Sequence, residues 1–268
     1  MSVVMETRNV GKNIGGLRLF ENISFVCTKE TVLFVQGSNG TGKSTLLKIL
    51  AGIYEPTDGK VIMNAKKIGY VPEHFPEGVH FKVKEYLTLI ASFHSAENEN
   101  KDLLAKYIHL FGLSPFLTTS LIACSKGTKQ KVGIIQALLL QPELLILDEP
   151  LTGLDLESQE ALITVLAEIR GDIPIIFTAH DGGPITQIAT DVLHIESGEM
   201  VSRQRKLKNK RSIRVQFLAK KDLDFIQPGY IQFEGNQAVI TVSQDTSDDL
   251  LIKLLHANCS ILEVKEIL

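Results

Sequence analysis

Residues 37–44 read Gly-Ser-Asn-Gly-Thr-Gly-Lys-Ser, fitting the pattern G-x-x-x-x-G-K-[ST]. Few other stretches constrain a fold so tightly. An apolar run of strand length, Val32–Val35, precedes it. A helical pattern, Lys43–Ala51, follows and is stopped by Gly52. Glycines let backbone N–H groups turn inward and approach phosphate oxygens closely. The helix N-terminus behind them adds partial positive charge. Gly37, Ser38, Asn39, Gly40, Thr41, Gly42, Lys43, Ser44 and Thr45 are therefore the candidate phosphate cradle, Thr45 by capping or packing. Lys43 is suited to reach the β- and γ-phosphates, and the Ser44 hydroxyl to ligate Mg²⁺.

A second apolar run, Leu144–Leu147, ends in Asp148-Glu149, and Pro150 then ends the strand. A buried strand that delivers acids at its C-terminal end places them where ligands bind to an open α/β sheet. Asp148 is suited to hold Mg²⁺, and Glu149 to polarise an attacking water.

The first two hundred residues alternate such strands with helices. Further strand candidates are Ile23–Val26, Ile68–Val71, Ile175–Thr178 and Val192–Ile195. Continuous apolar runs of this kind suit strands buried on both faces of a sheet. Helix candidates are Val83–Phe93, Lys101–Phe111, Lys129–Leu140 and Ser158–Ile169. Residues 196–199, Glu-Ser-Gly-Glu, read as a hairpin turn between two late strands.

Composition changes near residue 203. The segment Arg203–Lys221 carries nine basic residues and no acidic one. Beyond its start the order strand (Ile213–Leu218), helix (Lys221–Ile226), hairpin (Tyr230–Phe233 and Ala238–Val242), helix (Ser247–Ala257), strand (Ile261–Ile267) suggests a ferredoxin-like appendage. The basic run reads as a solvated linker, then as a contact for anionic lipid. With Phe217 as its one nearby aromatic it is a poor nucleic-acid surface, and no nucleic-acid partner is expected.

The whole chain of 268 residues has a net charge of −3, which excludes a wholly nucleic-acid-coating protein. Cys27, Cys124 and Cys259 form neither a CxxC pair nor an even framework, so a reducing compartment is expected. No stretch approaches the roughly 18 consecutive apolar residues of a membrane span.

One segment gives these elements a more specific meaning. Cys124-Ser125-Lys126-Gly127-Thr128-Lys129-Gln130 resembles the signature of ABC ATPases, usually written LSGGQ. Ser125 lies 23 positions before Asp148, the spacing that family uses. The chain is thus similar to the ATP-binding subunit of an ABC transporter. The resemblance covers residues 3 to about 200. It implies an α/β fold: a P-loop NTPase of the ABC ATPase type. An N-terminal antiparallel β-subdomain and an inserted helical subdomain at about 74–130 belong to it. The ATPase domain would span 1–203, and the small α+β appendage 204–268.

The same resemblance implies ATP and Mg²⁺ as cofactors and ATP hydrolysis as the activity. It implies that Ser125 and Gly127 form a second phosphate nest, closing on nucleotide held by another subunit. Leu154-Asp155 would be the D-loop that crosses the dimer interface. His180, 31 positions after Glu149, resembles the switch histidine that contacts the γ-phosphate. Partners would be a second ATPase subunit, identical or related, and a polytopic membrane permease. The chain would sit peripherally on the cytoplasmic face. The appendage resembles that of exporter ATPases, which favours export. A non-transport ABC ATPase is the alternative, against which stand the single cassette and the lack of long coiled coils.

Two positions depart from the family. Glu73 stands where Gln usually follows the strand Ile68–Val71; it can still ligate Mg²⁺ but adds charge near the phosphates. The aromatic that usually stacks on adenine should fall near Ile14, yet residues 8–16 hold no aromatic or histidine. Loose base selectivity, with GTP tolerated, is expected.

Overall fold

The computed structural model describes residues 2–93, 97–179, 183–202, 210–218, 223, 226, 231–257 and 259–267. His180, most of the expected helix Lys221–Ile226, and residues 203–209 and 219–221 of the basic run lie outside the described residues. The chain divides into two compact units, Met1–Val201 and Ser202–Leu268.

The first unit is built on a six-stranded sheet. Its strands are β3 (Val32–Gln36), β5 (Ile68–Val71), β6 (Leu144–Leu147), β7 (Ile175–Thr178), β8 (Asp191–His194) and β9 (Glu199–Ser202). They lie in the order β5-β6-β7-β3-β8-β9, with β5 through β8 paired in parallel. Alternate side chains of one strand enter different cores. Phe34, Leu145, Leu147 and Phe177 pack on the side of the helices. Leu33, Val35, Leu144, Ile146 and Ile176 pack on the other. Burial on both faces is why these strands read as unbroken apolar runs. The rings of Phe34 and Phe177 stack across neighbouring strands with centroids 5.5 Å apart.

A three-stranded antiparallel sheet covers one side. It pairs β2 (Leu17–Thr28) with β1 (Val3–Ile14) and β1 with β4 (Asp58–Met63). Met5, Val10, Phe20, Ile23 and Phe25 from it share a core with α1 (Lys43–Leu50). On the opposite side lie α2 (Val83–Ser92), α3 (Glu97–Leu110), α4 (Lys126–Leu139) and α5 (Leu156–Ile169). The first three pack on one another.

The second unit is an antiparallel sheet in the order β11-β12-β10-β13. The strands are β10 (Lys210–Gln216), β11 (Ile231–Glu234), β12 (Gln237–Ser243) and β13 (Ser260–Ile267). Ile213, Val215, Ala238 and Ile240 face a core shared with Leu254 of α6 (Gln244–His256). Intervening residues such as Arg214, Gln216 and Gln232 fall on the other face, giving a two-residue alternation.

Candidate active site

The C-terminal ends of β3, β6 and β7 open on one crevice. After Gln36 the chain turns through residues 37–42 into α1. Gly40 and Gly42 have φ of 83° and 96°, a left-handed backbone that favours glycine. Gly42 caps α1 without a side-chain hydrogen bond, so that helix end keeps its N–H groups for an anion. A side-chain carbon on Gly42 would lie 2.9 Å from Cδ1 of Phe20. The Phe20 ring thus supports the loop from below. It is 4% exposed and unable to stack on a base.

Lys43 Nζ donates to the carbonyl oxygens of Gly37 at 2.7 Å and Ser38 at 3.1 Å. The N–H of Ser38 donates to Oε1 of Glu196 at 2.7 Å. That hydrogen bond, aided by the charge of Lys43, holds the Glu196 carboxyl below its usual range. The Gly37–Ser38 peptide is therefore held at its N–H by an anion and at its carbonyl by a cation. Sequence reasoning saw Glu196 as a turn residue alone. Nothing local signals that the turn folds back on the loop.

Asp148 is 1% exposed and continues β6, its N–H donating to Val71 O at 2.8 Å. Its Oδ1 accepts a hydrogen bond from the Thr178 hydroxyl at 2.7 Å. That hydroxyl in turn accepts from the N–H of Glu149 at 2.8 Å. Glu149 has φ of 48°, and its carbonyl accepts from Thr152 N at 3.1 Å. A left-handed non-glycine residue costs of order 1–3 kcal/mol and persists only when its surroundings hold it. Thr178, at the end of β7, is the second residue that the sequence did not flag.

These elements enclose a cavity of about 460 Å³. Asn39, Gly40, Gly42, Lys43, Ser44 and Thr45 line it from the loop, with Glu73, Asp148, Glu149, Thr152 and Leu19 around them. Gly37, Ser38 and Thr41 form the back of the loop and do not line it. Among the described residues, no group of three or more His, Cys, Asp or Glu is placed to hold a metal alone. Ser44, Glu73 and Asp148 nevertheless share the cavity. Mg²⁺ takes one or two carboxylates together with phosphate oxygens and water, so this donor set suits Mg²⁺ that arrives with phosphate.

Ser125 and Gly127 do not line this cavity. The helix α4 begins at Lys126, three residues before the expected Lys129, because Ser125 itself caps it. The Ser125 hydroxyl accepts from Thr128 N at 3.1 Å. A side-chain carbon on Gly127 would overlap the carbonyl of Gly153, so glycine there lets the two backbones touch. Gln130 Nε2 donates to Pro150 O at 3.5 Å, and Lys131 Nζ donates to Asp155 Oδ2 at 2.8 Å. Asp155 also caps α5, accepting from Ser158 N at 2.9 Å. The Lys131 hydrogen bond first, and those from Ser158 next, hold the Asp155 carboxyl well below its usual range. The signature helix is thereby tied to the segment that follows Glu149.

The family described as "ABC transporter" matches residues 20–152. The zinc import ATP-binding protein ZnuC of Rickettsia bellii is 34% identical over 184 residues, covering 66% of this chain and 76% of the relative. This chain belongs to the ATP-binding subunits of ABC transporters. The molybdate/tungstate import ATP-binding protein WtpC of Methanocaldococcus jannaschii is 28% identical over 212 residues, 74% of this chain and 70% of the relative. A solved ATP-binding subunit of an ABC transporter superposes with a TM-score of 0.69 at 26% identity, covering 75% of this chain and 91% of that one. The fold is also that of an ATP-binding cassette dimer solved in a post-hydrolysis state with ADP and Pi, at TM-score 0.65 and 20% identity over 74% of this chain and 98% of that one.

This ABC ATPase accordingly binds ATP with Mg²⁺ and hydrolyses the nucleotide. The likeness to exporter ATPases drawn from the appendage is not supported, because the relatives named here are import ATPases.

Proposed function

We propose that this ABC ATPase works as one of two facing ATPase subunits that drive transport through a separate polytopic membrane subunit. One observation carries the reading. Ser125 and Gly127 stand apart from the chain's own nucleotide cavity, while Asn39, Gly40, Lys43, Ser44, Asp148 and Glu149 line it. A second subunit is then needed to bring a Ser125 loop to each bound ATP. Direct ties from α4 to Pro150, Gly153 and Asp155 would carry the arrival of that loop to Glu149.

In this reading the N–H groups at the start of α1 and the Lys43 ammonium hold the phosphates. Lys43 leaves the carbonyls of Gly37 and Ser38 to do so. Ser44 and Asp148 would hold the metal, with Glu73 in the same cavity as a further ligand. Bound Mg²⁺ neutralises charge on the β- and γ-phosphates. Glu149 polarises the attacking water and His180 orients it. Closure depends on ATP in both half-sites, and phosphate loss lets the halves part.

Import is the direction supported by the names of the relatives, a zinc and a molybdate/tungstate importer, and it replaces the export expected from the appendage. No helix among the described residues is long and apolar enough to cross a membrane, so the cytoplasmic-face position proposed here depends on the permease. Purification of the tagged chain in mild detergent tests the reading. A co-purifying polytopic protein supports it, and a homogeneous ATPase free of any membrane subunit overturns it.

A further inference from the structure

Thr178 holds two functional carboxylate residues with one hydroxyl. Its side chain is fully buried. The oxygen lies 2.7 Å from Oδ1 of Asp148 and 2.8 Å from N of Glu149. A hydroxyl has one proton to give and two lone pairs. A backbone N–H can only donate, so the Glu149 contact occupies a lone pair. The single proton is then directed to Asp148. The arrangement has one polarity, and each half of it favours the other.

The backbone makes the second half consequential. Glu149 is left-handed at φ 48° in a residue type that disfavours that region. Its N–H is held by Thr178 and its carbonyl by Thr152 N at 3.1 Å. Released from the hydroxyl, the peptide between Asp148 and Glu149 relaxes toward commoner dihedrals. Both carboxylates then turn away from their present positions in the cavity wall. Thr178 does not itself line that cavity, so it acts only through its neighbours.

We propose that the Thr178 hydroxyl is the positioning group that fixes the metal-side carboxylate of Asp148 and the left-handed backbone of Glu149 in one step. The proposal rests on the roles given above to Asp148 and Glu149. Thr178 also lies two residues before His180 in sequence.

Thr178→Val in the full chain tests this, since valine keeps the shape and removes the hydroxyl. The loop contacts to phosphate are untouched, so kcat should fall about tenfold or more while KM for ATP stays within about threefold. The Mg²⁺ concentration for half-maximal activity should rise. Thr178→Ser restores both bonds and should recover most of kcat and the original Mg²⁺ dependence. If the valine variant does not fold, Thr178→Ala carries the same expectation. A folded valine or alanine variant with unchanged kcat and Mg²⁺ dependence overturns the proposal. So does a serine variant as impaired as valine, because the methyl group rather than the hydroxyl would then matter. Glu149→Gln, measured beside them, separates the two readings. Normal turnover there removes Glu149 from catalysis, whereas the Mg²⁺ shift of Thr178→Val still reports on the bridge to Asp148.

Discussion

Lys131 and Asp155 form an ion pair at 2.8 Å that joins α4 to the cap of α5. The Lys131 side chain is 10% exposed and that of Asp155 59%, so the lysine is the buried partner. Asp155→Ala removes a helix cap and leaves Lys131 without this anion. The loss should be about 1–2 kcal/mol, most of it from the cap, since an exposed partner weakens the ion pair. Chemical denaturation at neutral pH reads it directly.

The same pair predicts a pH dependence with a definite sign. In the folded chain the Asp155 carboxyl is held below its usual value. An unfolded aspartate titrates near about 3.9. The stabilisation from Asp155 is therefore complete above that value and is lost as pH falls through the lowered folded value. Denaturation curves of wild type and Asp155→Ala should be well separated at pH 7 and converge in strong acid. A constant separation across that range would contradict the assignment.

Glu149→Gln keeps the shape and the backbone hydrogen bond to Thr178 but removes the base proposed above. It should lower ATP turnover at least about a hundredfold, within the range general-base removal spans. ATP binding should persist, and the variant should accumulate as an ATP-bound dimer on size-exclusion chromatography. Lys43→Ala should instead lose both turnover and tight binding of ATP.

Gly127→Ala places a carbon against the Gly153 carbonyl, where the obstacle is backbone and cannot rotate aside. Overpacking of this kind costs about 1–3 kcal/mol. The turn that carries Ser125 must move off Gly153. ATPase activity should drop strongly while nucleotide binding to the isolated subunit stays near wild type. Stimulated turnover measured beside single-site nucleotide binding distinguishes the two.

Base selectivity should be weak. Ile14 pairs with Leu17 at the tip of the β1–β2 hairpin, both are exposed, and Leu19 is the aliphatic group on the cavity wall. Phe20, the nearest aromatic in sequence, is buried under Gly42. Aromatic stacking contributes about 1 kcal/mol, a factor of about five in affinity. GTP and ATP should have KM values within about that factor, and Ile14→Tyr should tighten ATP binding by a similar one. A strong preference of wild type for ATP would show that another group reads the base.

The sequence alone determined the parts whose physics is local. The cradle is a contiguous strand, loop and helix, so its glycines, Lys43 and Ser44 are legible from spacing. Apolar runs buried on both faces located β3, β5, β6 and β7 at or within one residue of their ends. Alternating or mixed patterns did not: β1 carries exposed polar residues among its few buried ones, β4 has no buried residue, and the two depend on pairing with each other to be strands at all. Tertiary structure alone decided which distant groups meet. Thr178 reaches Asp148 and Glu149 because β7 lies beside β6. Glu196 reaches Ser38 because β8 lies beside β3. Gly127 touches Gly153 because the start of α4 meets the segment that follows β6 and Pro150. Hydrogen bonds act over about 3 Å, and strand order, which no local window of sequence contains, sets which residues come within that reach.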